Sequence, residues 1–352
     1  MKTVSLRDLP GRPLKTETRP HRTALSLASR FGRIALALAT ALALPLAGLN
    51  GRAAEDTFDL KPKWKPGQQI VQQIKTAQKQ KITVAAAPNP IQQQTEQIQE
   101  VALAVDKERA EGGFEVGIEF RSISLESKMG QTVVVKFDSK SKATTGEANL
   151  FSASGGANPL TDVLKKLVGT KLKLYTKPNG DIEKVEGVQK LIDDLASSLP
   201  EMASGMMKSM FNEDMVKQMS ALPPGLPNEP VSAGYEWPVK LEMSLGPMGT
   251  MLISMKFKFN GMEEKRGYRV AVLDHRGTLS SKEGSGTGPI TLGAFSGTST
   301  GRTWYAPDIG ATVDSYANQV MSMTMKTMGQ DMKVEMDQRV TTKLLEITGQ
   351  AK

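Results

Sequence analysis

The sequence predicts a mainly β (α+β) protein in which a curved antiparallel sheet carries a central helical insertion packed on one face. Two observations predict this class. Apolar residues recur at every second position before residue 157 and again after residue 231, which is the period of a strand. Between these blocks they recur at every third or fourth position, which is the period of a helix. Each strand block opens near a Trp and a Gly, so we treat the blocks as two related β-meanders.

The first block shows the strand pattern most clearly around residue 117. Apolar and charged residues alternate there, which is typical of a strand with one face on a core and the other in water. The apolar set is Phe114, Val116, Ile118 and Phe120, and the opposite set includes Glu115, Glu119 and Arg121. The run from Thr132 to Phe137 follows a Met-Gly turn, so we expect an antiparallel meander.

The middle of the chain is predicted to be helical with one hairpin inside it. A helix begins near Asn158 and Pro159, and a second resumes near Val188. Between them, a Pro-Asn-Gly turn at residues 178–180 separates two short strand-like runs. Helical spacing continues through Met202, Met206 and Met210, and the Pro-rich residues 223–230 close the insertion.

The last hairpin is predicted from its methionines. Strand alternation resumes at Trp237, and a Gly-containing turn near residue 329 separates the two final strands. One apolar face then carries Met321, Met323 and Met325 opposite Met332, Val334 and Met336. The other face of the last strand carries Lys333, Glu335, Asp337 and Arg339.

The N-terminal segment predicts export. A basic stretch ends at Arg33, an apolar run of about 16 residues follows, and Gly51 and Ala53 match a signal-peptidase site. An uncleaved membrane anchor is the alternative, but the run is shorter than the roughly 20 residues that a spanning helix needs. We therefore expect residues 1–53 to be a signal peptide, 54–66 a tether, 67–157 the first meander, 158–230 the insertion and 231–352 the second meander. The expected location is secreted or periplasmic, with no transmembrane helix in the mature chain.

The charge of the chain argues against nucleic acid as a partner. Residues 1–53 hold nine Lys or Arg and two acidic residues, so nearly all of the formal +8 charge lies in the leader. The remaining chain is close to neutral and lacks the basic surface expected of a nucleic-acid binder. The sequence contains no cysteine, which excludes disulfides and N-terminal lipidation on cysteine.

Three segments carry a resemblance to a known family. They are residues 64–68 (Trp-Lys-Pro-Gly-Gln), residues 169–182, which contain Gly-Thr-Lys-Leu and Pro-Asn-Gly-Asp-Ile, and residues 234–237 (Gly-Tyr-Glu-Trp). They resemble an uncharacterised family of secreted bacterial proteins, domain of unknown function six-two-six-three, over most of residues 60–348. These segments are structural turns, so the resemblance implies no activity and no site residues. A looser likeness in fold is to half-barrel lipoprotein carriers, in which a curved sheet wraps around helices.

The sequence offers no convincing catalytic or metal site. Residues 297–301 (Gly-Thr-Ser-Thr-Gly) match the nucleophile-elbow pattern, but a strand-like run follows Gly301 where a helix is required, so we expect a flexible turn. His275 is the only histidine after the leader, and we expect it at a strand end or on the surface. One histidine without cysteine excludes zinc sites built from those ligands. The glycines at 284, 286 and 288 also indicate a turn, and we predict neither an enzyme nor a cofactor.

Methionine is the unusual feature, with 19 residues. Methionines can fill irregular core gaps, line an adaptable apolar site, or ligate copper(I), for which Met321, Met323 and Met325 lie on one strand face. We predict a non-enzymatic envelope protein that binds an apolar small molecule or lipid on a Met-lined concave face. The alternative is a structural or partner-docking protein with a closed core. The candidate ligand-binding residues are Met202, Met206, Met210, Met251, Met255, Met321, Met323, Met325, Met332 and Met336.

Overall fold

Long antiparallel strands make up most of the protein, as seen in a computed structural model. It describes residues 56–84, 89–141, 159–197, 204, 223–244, 249–282, 290–327 and 330–349, all within the unit Ala53–Lys352. The helices of eight or more residues in this part of the chain are α1 (Pro159–Leu167) and α2 (Val188–Ala196). The strands are β1 (Thr57–Phe58), β2 (Gln69–Val84), β3 (Ile91–Glu108), β4 (Phe114–Met129), β5 (Thr132–Asp138), β6 (Lys171–Thr176), β7 (Ile182–Glu186), β8 (Val231–Ser232), β9 (Glu236–Ser244), β10 (Thr250–Lys265), β11 (Tyr268–Ser281), β12 (Ile290–Ala306), β13 (Ala311–Thr327) and β14 (Gln330–Thr348).

One open sheet contains nearly all of these strands. Its order is β7-β6-β4-β3-β2-β14-β13-β12-β11-β10-β9, with β5 also pairing β4, and β1 and β8 form a separate small sheet. The half from β9 to β14 is a meander of sequence neighbours, and the half from β2 to β7 departs from this pattern where β4 pairs with both β5 and β6. The halves are joined where β2 pairs antiparallel with β14. The predicted fold class is therefore confirmed.

The two helices pack on one face of the sheet. Val163 of α1 and Leu191 and Leu195 of α2 are buried in the main core cluster together with Val101 and Phe120 of the sheet. The helical spacing places these residues on one side of each helix, which explains why both helices lie flat on the sheet. None of the described helices is long and apolar enough to cross a membrane.

The final hairpin has the predicted register. Met321 pairs with Met336, Met323 with Val334, and Met325 with Met332. The hairpin predicted at residues 178–180 also forms, but β6 pairs with β4, so this hairpin extends the edge of the sheet and does not cover its face. The predicted helices at Met202, Met206 and Met210 and the turn at residues 284–288 lie outside the described residues.

Three local expectations are wrong. Residues 56–66 do not form a free tether, because β1 pairs with β8 and the Leu60 side chain is fully buried. Residues 297–301 are the middle of strand β12 and not a turn, since their backbone pairs with strands on both sides. His275 lies in mid-strand on β11 and points into the protein, because its neighbours Asp274 and Arg276 take the other face.

The segment at residues 64–72 is anchored by side chains that bind backbone carbonyls. The Trp64 indole donates to the Gly310 carbonyl at 2.9 Å, and the amides of Gln68 and Gln72 donate to the carbonyls of Ile309 and Thr312. All three side chains are buried, so each bond satisfies a carbonyl that water does not reach. Gly310 adopts a φ of 58°, and a Cβ there would collide with the indole. The Trp-Lys-Pro-Gly-Gln motif thus holds the loop before β13 in place.

Candidate functional site

One face of the sheet lines a cavity of about 990 Å³, and we call it the inner face. Its lining includes Phe120 of β4 and Leu241 of β9, which lie eight positions apart in the strand order. At about 4.8 Å per strand, a flat sheet would hold them about 38 Å apart. Because both residues line one cavity, the sheet must curve around it.

The inner face carries a group of small residues on three central strands, next to the cavity. Gly277 of β11, Gly297, Ser299 and Gly301 of β12, and Ala317 of β13 are neighbours on the inner face through the strand register. A Cβ at Gly297 would lie 2.8 Å from the Met321 Cγ, and one at Gly301 would collide with the His275 ring. Glycine at these positions lets the Met321 and His275 side chains pack closely against the strand, and of this group Ala317 is the residue that lines the cavity.

The walls of the cavity are apolar. Val101, Ile118 and Phe120 form the wall on β3 and β4, and Val239, Leu241, Ile253, Met255 and Phe257 form the wall on β9 and β10. Between these walls the lining is uncharged and mixes the apolar Ile74, Ala317 and Val340 with the polar side chains Gln99, Thr303, Thr312, Ser315, Gln319 and Thr342. The cavity therefore combines two apolar walls with a hydrogen-bonding floor.

A bridge of two segments, residues 177–182 and 223–226, lies across the mouth. The Asn179 amide donates to the Leu226 carbonyl at 3.2 Å, and the Gly225 N–H donates to the Asp181 carboxylate at 3.0 Å. Residues 177–182 join β6 and β7 at one edge of the sheet, and Leu226 packs in the core of β9 and β10 at the other edge. The bridge thus connects the two ends of an open sheet.

His275 lines the cavity and lies next to the buried Ser299 on the adjacent strand. The His275 Nε2 lies 3.5 Å from the Ser299 Oγ, and the imidazole packs against Phe257 with ring centroids 5.6 Å apart. Burial lowers the pKa of His275, and the Asp274 carboxylate partly opposes this shift. Asp274 itself lies on the other face and is paired with Arg302 through two hydrogen bonds, so it does not orient the imidazole. Through His275, the pair can accept a hydrogen bond from a neutral group or donate one to it.

We expect the pH dependence of the protein's stability to reflect the burial of His275. A histidine whose folded-state pKa is lowered binds a proton more readily in the unfolded state, so its stability contribution is complete above its ordinary pKa of 6.5 and is lost as pH falls towards the lowered value. His275→Gln should remove this part of the decline. The measurement is the thermal midpoint of both proteins between about pH 7 and pH 5, above the range in which carboxylates titrate. Parallel curves for the two proteins would contradict the prediction.

The structure distributes the predicted methionines over several places. Met255 lines the cavity. At the far end of the inner face, Met251, Met323 and Met336 pack around the buried Met321 together with Leu279 and Phe295. A second cavity of about 640 Å³ touches Met321 and Met336. Met325 and Met332 are paired near the hairpin end, and Met202, Met206 and Met210 are outside the described residues.

The polar floor escaped the sequence prediction. Serine, threonine and glutamine at alternate positions are typical of a solvated strand face. The ligand site was therefore predicted at the apolar methionines. A usable signal was present in β12, where Gly297, Ser299 and Gly301 place only small residues on one face. Among the described residues, no group of three His, Cys, Asp or Glu side chains could hold a metal ion.

Solved structures show some likeness to this chain. A lipovitellin structure matches with a TM-score of 0.42 and 8% identity over 82% of this chain, which spans about a quarter (26%) of the lipovitellin chain. A Bacteroides fragilis protein described as exported, with a YmcC-like fold, matches with a TM-score of 0.28 and 13% identity over 82% of this chain and 99% of its own. A Parabacteroides distasonis protein described as a lipoprotein matches with a TM-score of 0.27 and 13% identity over 84% of this chain and 100% of its own. Such low scores imply nothing about function.

The family comparison gives a firmer result. No curated protein matches the sequence. A model of a family of unknown function, DUF6263, matches residues 111–303, which include the predicted segments at 169–182 and 234–237, while residues 64–68 precede the match. Since this match covers more than half of the 352 residues, the chain belongs to the DUF6263 family.

Proposed function

We propose that the protein is a non-enzymatic binding protein of the bacterial envelope that holds an apolar or amphipathic ligand in the cavity on the inner face. The observation that carries this proposal is the cavity itself, about 990 Å³ in volume and walled by apolar side chains from both halves of the sheet. Cavities that bind small molecules have about this size and mostly apolar linings with a few polar groups.

The features of the floor support binding over a closed core. A core excludes voids because unfilled space forfeits dispersion contacts. Here the small residues Ser315 and Ala317 occupy lining positions where larger apolar residues would fill the space. The bridge at residues 177–182 and 223–226 borders the cavity with two short segments, and we infer that a ligand enters beside it.

The proposal is tested by uptake of an apolar fluorescent probe. Protein stripped of lipid by organic extraction and refolding is titrated with the probe, and we expect saturable binding of one probe per chain. Mass spectrometry of protein purified from its native envelope should then detect a retained small molecule. Folded protein that takes up no probe would instead favour a structural or partner-docking protein with a closed core.

Export is part of the same proposal. We expect the mature protein to begin at Ala54 or within a few residues of it, because Gly51 and Ala53 provide the small side chains that signal peptidase requires. N-terminal sequencing of protein from the envelope or the medium measures this directly. Membrane-bound protein that keeps Met1 would show that the segment is an uncleaved anchor.

Copper(I) binding is a second candidate function, supported by the register of the last hairpin. Met321 lies directly opposite Met336, and Met325 opposite Met332, so several thioether groups share one end of the inner face. Stoichiometric copper(I) uptake that is lost in Met323→Ala would support this function. An absence of uptake at micromolar metal would leave these residues as packing for the hairpin.

A further inference from the structure

The chemistry of the floor specifies what kind of ligand the cavity can take. Charged side chains among the lining residues are confined to the mouth, where Lys177, Lys240 and Glu242 are exposed and Asp181 belongs to the bridge. They are two cations and two anions, so they give the entrance no net charge. The floor between the walls carries no charged side chain, and its polar groups are hydroxyl, amide and imidazole groups beside the apolar Ile74, Ala317 and Val340.

Several of these polar groups have hydrogen-bonding capacity that the protein does not use. Within the described part of the chain, the side chains of Gln99, Thr303, Ser315 and Gln319 make no hydrogen bond to another residue. All four are partly buried on the cavity lining. By contrast, the buried amide of Gln72 on the same face is occupied by the Thr312 carbonyl at 2.7 Å. The free groups therefore face the cavity content, either water or a ligand.

A charged group placed on this floor would be poorly stabilised. Moving a charge out of water costs several kcal/mol unless an opposite charge meets it, and the floor supplies none. An amide or hydroxyl group loses much less on desolvation and regains hydrogen bonds from Gln319, Ser315 and the His275–Ser299 pair. Apolar chains on either side of such a group would lie against the two walls.

We propose that the ligand of this cavity is an uncharged amphiphile, whose amide or hydroxyl group binds the floor and whose hydrocarbon part lies against the walls. This inference rests on the proposed binding function. Binding should therefore select against fatty acids and amines that have the same chain length as the neutral ligand.

The test is competition of four ligands with one C18 chain against the bound fluorescent probe. They are oleamide and oleyl alcohol, which are neutral, oleate, which is anionic, and oleylamine, which is cationic. We expect the neutral pair to displace the probe at concentrations at least about tenfold lower than the charged pair, a difference of about 1.4 kcal/mol. Equal or tighter displacement by oleate or oleylamine overturns the inference, as does a failure of all four to displace the probe.

Variants locate the selectivity on the floor. Gln319→Leu and Ser315→Ala should each reduce the preference for oleamide over the charged ligands, and an unchanged thermal midpoint shows that the fold of each variant remains intact. The matched control is Thr300→Val, on the exposed face of β12, where the preference should not change. If the parent protein binds no probe, the proposed function itself has failed. If the probe binds but the preference survives both floor variants, only the inference is wrong.

Discussion

Replacing Ala317 by Trp is expected to weaken probe binding by about tenfold or more, with little loss of stability. Ala317 lies on the cavity floor, between Gly301 of β12 and Val340 of β14 in the register. An indole at this position would project into the cavity and occupy the volume that the ligand needs. Because the volume is empty of protein atoms, the new side chain does not have to displace a packed neighbour. Probe titration and the thermal midpoint measure the two effects.

Asn318→Trp provides the matched control. It adds the same side chain one residue further along β13, where the position is exposed and faces away from the cavity. This variant should bind the probe as the parent does. Unchanged probe binding in Ala317→Trp, or an equal loss in both variants, would place the probe elsewhere on the protein.

Trp64→Ala is expected to destabilise the protein by about 3–5 kcal/mol, the usual cost of truncating a buried aromatic side chain. The indole is 6% exposed, packs edge-on against Phe114 with ring centroids 5.5 Å apart, and lies directly over Gly310. Its removal leaves both a cavity and a buried Gly310 carbonyl without its donor. Urea unfolding of the mature protein measures the free energy.

Two further variants separate packing from the hydrogen bond at this position. Trp64→Phe keeps an aromatic ring against Phe114 and loses the donor, so we expect a smaller cost of about 1–3 kcal/mol. Lys65→Ala, at the exposed neighbour, should change stability by less than about 0.5 kcal/mol. A loss below about 1 kcal/mol in Trp64→Ala would show that residues 64–68 contribute little to holding the loop before β13.

The sequence predicted the local part of this structure well. Alternation of Met321, Met323 and Met325 with polar residues fixes which face of β13 is apolar, and a tight turn then leaves one register with Met332 and Met336 opposite. A one-residue slip would place the charged set of β14 on the apolar face. The same reasoning succeeded for the hairpin around residues 178–180, since Asn-Gly turns have few alternative conformations.

The predictions that failed concern residues whose positions depend on contacts distant in sequence. Gly297 and Gly301 have the composition of a turn, and only the strands on either side show that they lie in mid-strand on the inner face. Likewise His275 follows an acidic and precedes a basic residue, which suggests a solvated position until the sheet gives those neighbours a separate face. The polar floor is invisible to hydrophobic periodicity, because an inner face that serves a ligand need not be apolar.

The pairing of β2 with β14 has a consequence for the order in which the chain can fold. Residues 330–348 follow the other strands of this sheet in the sequence, yet they form the seam between the two meanders. Until they arrive, β2 and β13 are both open edges, and such edges readily pair with other chains. A nascent chain thus cannot complete its sheet before residues 330–348 are available. We therefore expect truncation within this strand to expose both edges and to promote aggregation.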